Sequence, residues 1–182
     1  LQNLLKLLSN SSYDGVTCRS VDEGMNESNG KFSKESGLID FYNVWNRSIS
    51  YTIFIKTSII NKANPFDEDL GVGSGTIFGS GEETDFIISR LKEGARIYYS
   101  STLFVFHSNP INIYDSNAYE RAYYYGCGMG RVLKKHSYSL WYKLRALIRP
   151  LGGSLIFLLK LNVARAIYHW CVFRGRLKGL LS

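Results

Sequence analysis

Hydrophobic and polar positions along the chain alternate between the two-residue period of a strand and the longer period of a helix. Strict alternation over Gly15–Val21 predicts a strand. Short apolar runs at residues 51–56, 96–99 and 103–107 predict three more strands. Residues 22–37 are rich in Gly, Asn and Ser, and this composition predicts a loop.

Helical spacing occurs between and beyond these strands. Leucines among residues 1–8 form one helical stripe, and a short helix is predicted over 57–62, before Pro65. A further helix is predicted from the acidic residues after Gly81 to Glu93, with Phe86, Ile87 and Leu91 on its buried face and Gly94 as its stop. The chain is predicted to be helical again from about residue 117. Alternating strands and helices indicate an α/β fold.

The composition fits a folded chain of about one domain. Its 182 residues are 45% hydrophobic and 14% aromatic, which is too apolar for a disordered protein. The three cysteines, at positions 18, 127 and 171, lack zinc-type spacing, and no secretory signal is visible. We therefore expect reduced thiols in a cytoplasmic protein and exclude a small secreted domain held by disulfides.

The net charge of +7 is distributed unevenly. Residues 131–182 contain 11 of the 22 basic residues and no Asp or Glu, so residues 1–130 have a net charge of −4. The sequence predicts two parts, a mildly acidic body at 1–130 and a strongly basic helical tail at 131–182.

Two acidic clusters are candidates for chemistry. Asp67 and Asp69 form an Asp-x-Asp pattern, which can hold a divalent ion on a nucleotide diphosphate. Such a pair normally ends an apolar strand, and no strand precedes it here, so a loop carboxylate or a substrate contact is favoured. Glu82 and Glu83 open a helix after a glycine-rich loop, where a carboxylate is fixed yet open to substrate, as a general base requires. On spacing alone, acids that complement the helix dipole are the simpler explanation.

Other signals are weaker. His107 ends an apolar strand and is either a structural histidine or a metal ligand. Gly71, Gly73 and Gly75 alternate, but neither the dinucleotide-binding pattern nor the Walker phosphate loop is present. No catalytic triad or Cys/His pair can be proposed from spacing.

Taken in order, several segments between about residues 38 and 107 resemble the second half of the family-two glycosyltransferases, which are inverting enzymes with the GT-A fold. The segments that carry the resemblance are Asn43-Val44-Trp45-Asn46-Arg47, Phe66-Asp67-Glu68 with Leu70-Gly71-Val72-Gly73, Gly81-Glu82-Glu83-Thr84-Asp85-Phe86 and Val105-Phe106-His107. No single motif is strong, whereas the ordered set is fairly specific.

The resemblance implies roles for particular residues. Glu83 would be the catalytic base, with Glu82 as its neighbour, taking the proton from an acceptor hydroxyl as that hydroxyl attacks the anomeric carbon. A divalent metal, Mg or Mn, would stabilise the nucleoside-diphosphate leaving group, and His107 would help to ligate it. The substrate-binding residues would be Trp45, Asp67, Gly73 and Asp85.

The resemblance also implies the reaction and its partners. The enzyme would transfer a sugar from a nucleotide-sugar donor to a glycan or lipid-linked acceptor in surface polysaccharide assembly. The nucleotide-binding half of the fold, which ends in an apolar strand with Asp-x-Asp, is not in the sequence. We therefore expect a fragment that does not catalyse alone. The alternative is a non-catalytic module that docks on a membrane or a protein.

The tail suggests a location. Residues 138–149 place Trp and Leu among basic residues, and Pro150, Gly152 and Gly153 are predicted to break this helix before a second apolar run at 155–173. Aromatic and basic amphipathic helices suit an anionic membrane surface, here the inner face of the cell membrane. A helical subdomain with a solvated basic face is the main alternative. Nucleic acid is the weakest, because no nucleic-acid-binding motif accompanies the charge.

Overall fold

A computed structural model describes residues 2–10, 12–60, 66–109 and 113–182. The predicted α/β class is confirmed, since these ranges contain a mixed four-stranded sheet and several long helices. The elements are α1 (Gln2–Asn10), β1 (Gly15–Val21), β2 (Gly37–Leu38), β3 (Ile53–Ile55), α2 (Glu82–Lys92), β4 (Ile97–Phe106), α3 (Ser116–Lys135), α4 (Leu140–Leu159) and α5 (Val163–Leu181).

The strand order in the sheet is β2-β4-β1-β3. The two central strands, β1 and β4, are parallel, whereas β3 runs antiparallel to β1 and β2 runs antiparallel to β4. The side chains of Val16, Val21, Ile97 and Tyr99 are fully buried along the central pair. The parallel pairing brings the carboxyl ends of β1 and β4 to the same edge of the sheet, where open α/β sheets generally bind ligands.

The prediction of two separate strands at 96–99 and 103–107 is wrong. β4 is continuous from Ile97 to Phe106, and its register with β1 shifts between Cys18 and Arg19, which pair with Ser100 and Phe104. The extra residues form a bulge, which lengthens one strand locally without ending it. The composition of Ser100–Thr102 is typical of a turn. β4 nevertheless continues as one strand, because its parallel neighbour β1 pairs with it on both sides of this segment.

Other local predictions are confirmed in part. The strand predicted at 51–56 is shorter, because a 3-10 turn over Ser50–Thr52 precedes β3. The short helix predicted at 57–62 begins as a 3-10 turn over Thr57–Ile59, and Lys62 and Pro65 lie outside the described residues.

The chain divides into two compact units. The first contains Leu1–Phe66 and Glu83–Ile111, and the second contains Asp67–Glu82 and Asn112–Ser182. The first unit contains the sheet and most of α2, and the second contains the glycine-rich loop and α3–α5. The predicted division after residue 130 rests on charge rather than on contacts, and it stays a prediction.

Within the second unit, α3 and α5 approach each other at paired glycines. Gly126 and Gly130 on α3 face Gly175 and Gly179 on α5, and a Cβ at Gly126 would lie 3.1 Å from the Cα of Gly175 and 2.7 Å from the carbonyl oxygen of Val172. Two G-x-x-x-G patterns of this kind allow helix backbones to touch. The spacing of these glycines is visible in the sequence, whereas the contact between the two helices is not.

The predicted helix break at Pro150 is also wrong, because α4 runs through it. Proline has no N–H, so it cannot donate to the carbonyl oxygen of Ala146 four residues earlier. The Arg176 guanidinium on α5 supplies the missing donor, at 2.7 Å from that oxygen. Burial and the nearby charge of Arg149 lower the pKa of Arg176 to about 10, which leaves it charged at neutral pH. A neighbouring helix therefore compensates for the proline.

Cys18, Cys127 and Cys171 are all free thiols, and burial raises the pKa of Cys18 to about 11. Across the described ranges, the structure contains no helix with the length and apolarity needed to cross a bilayer.

Candidate functional site

The glycine-rich loop of the second unit closes on itself through main-chain and hydroxyl hydrogen bonds. The Gly71 N–H donates to the Phe78 carbonyl oxygen at 2.8 Å, and Thr76 Oγ1 donates to the Asp69 carbonyl oxygen at 2.6 Å. Its alternating glycines adopt backbone conformations with positive φ, at Gly71, Gly73, Gly75 and Gly81. The spacing of these glycines thus reflects the loop's shape, because other residues adopt such conformations only with strain.

Glu82 packs directly against this loop. A Cβ at Gly71 would lie 2.8 Å from the Glu82 Cδ and 3.0 Å from its Oε2, so only glycine leaves room for the carboxylate. Oε2 is buried and has no hydrogen-bond partner in the described part of the chain. An acceptor oxygen without a donor is costly in a folded protein. The Glu82 carboxylate is therefore held against the loop by packing at Gly71.

Replacing Gly71 with Ala is expected to destabilise the folded chain by about 2–3 kcal/mol, because a strained backbone and displacement of the Glu82 carboxylate act together. The matched control is Gly73→Ala, at a glycine with a φ of +90° and open space around it. That change should cost only about 1 kcal/mol, for the backbone alone. Chemical denaturation followed by circular dichroism measures both. Equal losses in the free energy of unfolding for the two variants would show that the contact between Gly71 and the Glu82 carboxylate adds no cost.

α2 fixes the remaining acidic residues of the candidate site. The helix begins at Glu82, and its side chains Phe86, Ile87 and Ile88 are buried in the hydrophobic core. It ends before Gly94, which has a φ of +89°, so the predicted helix and its stop are confirmed. Glu83 therefore lies in the first turn of a well-anchored helix.

The other predicted substrate-binding residues lie in different surroundings. Asp85 is only 2% exposed, and Trp45 lies partly exposed on the 3-10 turn Val44–Asn46. Asp67 Oδ2 forms an ion pair with Lys135 Nζ at 2.6 Å, and its Oδ1 accepts the Asp69 N–H at 3.1 Å. Asp67 is thus a paired loop carboxylate, one of the two roles favoured from the sequence. The substrate contacts of all these residues stay predictions.

His107 follows β4 at the carboxyl edge of the sheet, in the first unit. Its ring stacks on Tyr51 with centroids 4.3 Å apart, and Nδ1 lies 2.9 Å from both the Asn29 side-chain nitrogen and the Ser108 carbonyl oxygen. The Tyr51 hydroxyl donates to Ser20 Oγ at 3.2 Å, which fixes the stacking ring. The His107 ring is exposed to solvent, and these contacts fix its orientation. Sequence analysis did not identify Asn29 or Tyr51, since neither forms a local motif with His107.

His107 is the metal ligand that the sequence predicts. Nε2 is available as a metal ligand in the tautomer in which Nδ1–H donates to the Ser108 carbonyl oxygen, an arrangement common in metal-binding histidines. In the other tautomer Nδ1 accepts from the Asn29 side-chain amide and Nε2 carries the proton. A site needs more than one ligand, and the described residues contain no group of three or more His, Cys, Asp or Glu that could hold an ion. His107 is therefore a single possible ligand, and these residues do not form a metal centre by themselves.

No protein-family model, curated protein or solved structure matches this chain. The resemblance to family-two glycosyltransferases consequently rests on the ordered sequence motifs.

Proposed function

We propose that this chain is the acceptor-side part of an inverting glycosyltransferase of the GT-A type. It would serve transfer of a sugar from a nucleotide-activated donor to a glycan or lipid-linked acceptor in surface polysaccharide assembly. The observation that carries the proposal is the acidic pair Glu82–Glu83 in the first turn of α2, directly after a loop with four positive-φ glycines. The same loop and helix contain two of the segments that carry the resemblance.

In this proposal Glu83 is the catalytic base. Its carboxylate takes the proton of the acceptor hydroxyl while the hydroxyl oxygen forms a bond to the anomeric carbon. The bond from that carbon to the nucleoside diphosphate breaks on the opposite face, so the configuration inverts. The helix holds the carboxylate in place, which lowers the cost of orienting it for the reaction.

Glu82 has a supporting role in the same proposal. Its carboxylate packs against Gly71 and would hold the glycine-rich loop beside the bound acceptor. Trp45 would supply an apolar face for a sugar ring, while Gly73 and Asp67 would lie on the acceptor side of the loop. Asp85 is buried, so it would act on the substrate indirectly, through the residues that line the site.

A divalent ion, Mg or Mn, is part of the proposal for the whole enzyme. When bound, it would neutralise negative charge on the leaving diphosphate. His107 would hold it through Nε2, with the remaining ligands supplied from outside the described residues. The proton transfer assigned to Glu83 does not depend on this ion's placement.

A non-catalytic docking module is the second candidate. The observation that favours it is the exposed apolar face of α4, where Trp141 and Leu159 are 73% and 84% exposed. A docking surface and an active site can also coexist in one protein. Transfer activity therefore decides between a module and an enzyme, whereas docking does not.

The experiment is a transfer assay on this chain joined to its donor-binding half, with the product's anomeric configuration followed by proton NMR. We expect a product whose configuration is inverted relative to the donor sugar, and no transfer by residues 1–182 alone. A product with retained configuration, or no transfer to any acceptor across a panel of nucleotide sugars, would contradict the proposal.

A further inference from the structure

One face of α4 consists of large apolar side chains that point away from the rest of their unit. We call this face the docking stripe, and it is formed by Trp141, Leu144, Ile148, Leu155 and Leu159. Their exposed fractions range from 41% at Leu144 to 84% at Leu159. Monomeric soluble proteins rarely leave a continuous apolar face of this kind in water.

The stripe is continuous because α4 is continuous. At 100° per residue, its five side chains fall within about 60° of one another around the helix, and they extend for roughly 27 Å along it. The opposite side of α4 is packed within the unit. There Ala146 and Pro150 are buried, and Ser154 Oγ donates to the Ala166 carbonyl oxygen of α5 at 2.9 Å. The stripe is thus the outer side of a helix that is already anchored.

Basic side chains flank the stripe. Arg145 and Arg149 are exposed on α4, on the same side of the stripe, and Lys160 is exposed directly after the helix. Residues 131–182 contain 11 Lys and Arg and no acidic residue. A surface that is both apolar and strongly basic complements a partner that offers hydrocarbon beneath a layer of negative charge.

We propose that the docking stripe binds the surface of an anionic lipid bilayer, with α4 lying parallel to the membrane plane. The five apolar side chains enter the boundary between headgroups and acyl chains, and Arg145 and Arg149 contact the lipid phosphates. Trp141 suits the interfacial layer, because its ring is amphipathic. This inference stands on α4 alone and does not depend on the proposed glycosyltransferase activity.

The test is flotation of the purified chain with neutral phosphatidylcholine vesicles and with vesicles containing phosphatidylglycerol. We expect binding to the anionic vesicles at least about 25-fold tighter than to the neutral ones, and weaker binding at high salt. Quenching of tryptophan fluorescence by brominated acyl chains should accompany binding, and the part lost in Trp141→Phe reports the stripe itself.

Two sets of variants separate the apolar and the charged contributions. Ile148→Glu with Leu155→Glu should reduce binding to anionic vesicles about tenfold or more, because both side chains would carry charge into the acyl boundary. Arg145→Gln with Arg149→Gln should reduce the same binding about 25-fold while leaving binding to neutral vesicles unchanged. Met25→Glu, at an exposed apolar residue of the first unit, is the control and should bind anionic vesicles nearly as tightly as wild type.

Other occupants of the stripe predict different results. Equal binding to both vesicle types, binding to neither, or unchanged binding by the Ile148→Glu, Leu155→Glu variant would overturn the proposal. A second copy of this chain would give a concentration-dependent dimer in light scattering that the same variant abolishes, without vesicle binding. That outcome would also overturn the membrane assignment. Circular dichroism of each variant verifies that it is folded before binding is compared.

Discussion

Replacing Glu83 with Gln is expected to lower the rate constant for sugar transfer by a factor of about 10²–10⁴ in the proposed full-length glycosyltransferase. Glutamine keeps the size and the hydrogen-bonding reach of the side chain but cannot accept the hydroxyl proton. Binding of the acceptor should therefore change little, and the loss should fall on kcat rather than on KM. The measurement is steady-state kinetics with varied acceptor.

Two further variants make this prediction specific. Glu93→Gln alters a carboxylate at the other end of the same helical segment, where it pairs with Arg90 at 2.9 Å, and should retain nearly full activity. Glu82→Gln should lower kcat much less than Glu83→Gln does, because the Glu82 carboxylate packs against Gly71 and is not assigned the proton transfer. Full activity of Glu83→Gln would exclude it as the base. A loss confined to Glu82→Gln would move the assignment to that residue.

Replacing Gly175 with Ala should destabilise the chain by about 2–3 kcal/mol. A methyl group there would collide with the Tyr123 carbonyl oxygen of α3 and approach the Cys127 nitrogen to 3.0 Å, so the two helices would have to separate. Overpacking of this kind commonly costs 1–3 kcal/mol, and it exceeds the gain of about 1 kcal/mol that alanine brings to a helix.

Gly152 provides the matched control for this change. It lies inside α4 and has no atom within 4 Å of the position that a Cβ would take. Gly152→Ala should therefore stabilise the chain by up to about 1 kcal/mol through helix propensity alone. Denaturant unfolding followed at 222 nm compares the two variants. A stabilising effect of Gly175→Ala, equal to that at Gly152, would show that the α3–α5 contact is looser than described.

Local signals in the sequence were sufficient where local physics decides the structure. Strand β1 has the predicted bounds, because strict alternation has few other solutions. The helix α2 begins at its acidic pair and stops before Gly94, because capping and glycine conformation act over a few residues.

Predictions failed where a distant residue decides the structure. A proline within a helical pattern usually ends the helix. At Pro150 the helix continues, because Arg176 on α5 donates to the Ala146 carbonyl oxygen that the proline leaves without a donor. β4 continues through a turn-like segment because β1 pairs with both of its halves. Neither partner can be identified from the residues around the break, since each contact joins segments far apart in the chain.

The candidate site could likewise be predicted where local sequence decides it, but not where distant residues do. Sequence motifs identified Glu82, Glu83 and the glycine loop, yet the packing of Glu82 beneath Gly71 depends on how the loop folds back. The orientation of His107 likewise depends on Asn29 and Tyr51, which are distant in sequence. The candidate residues could thus be identified from the sequence, whereas the contacts of their side chains could not.

The coding sequence upstream of the Leu1 codon tests most directly the proposal that this chain is the acceptor-side part of a glycosyltransferase. We expect the reading frame to continue upstream into a nucleotide-binding half whose last apolar strand ends in Asp-x-Asp. A start codon or a stop codon immediately before Leu1 would contradict the account and would favour the docking module.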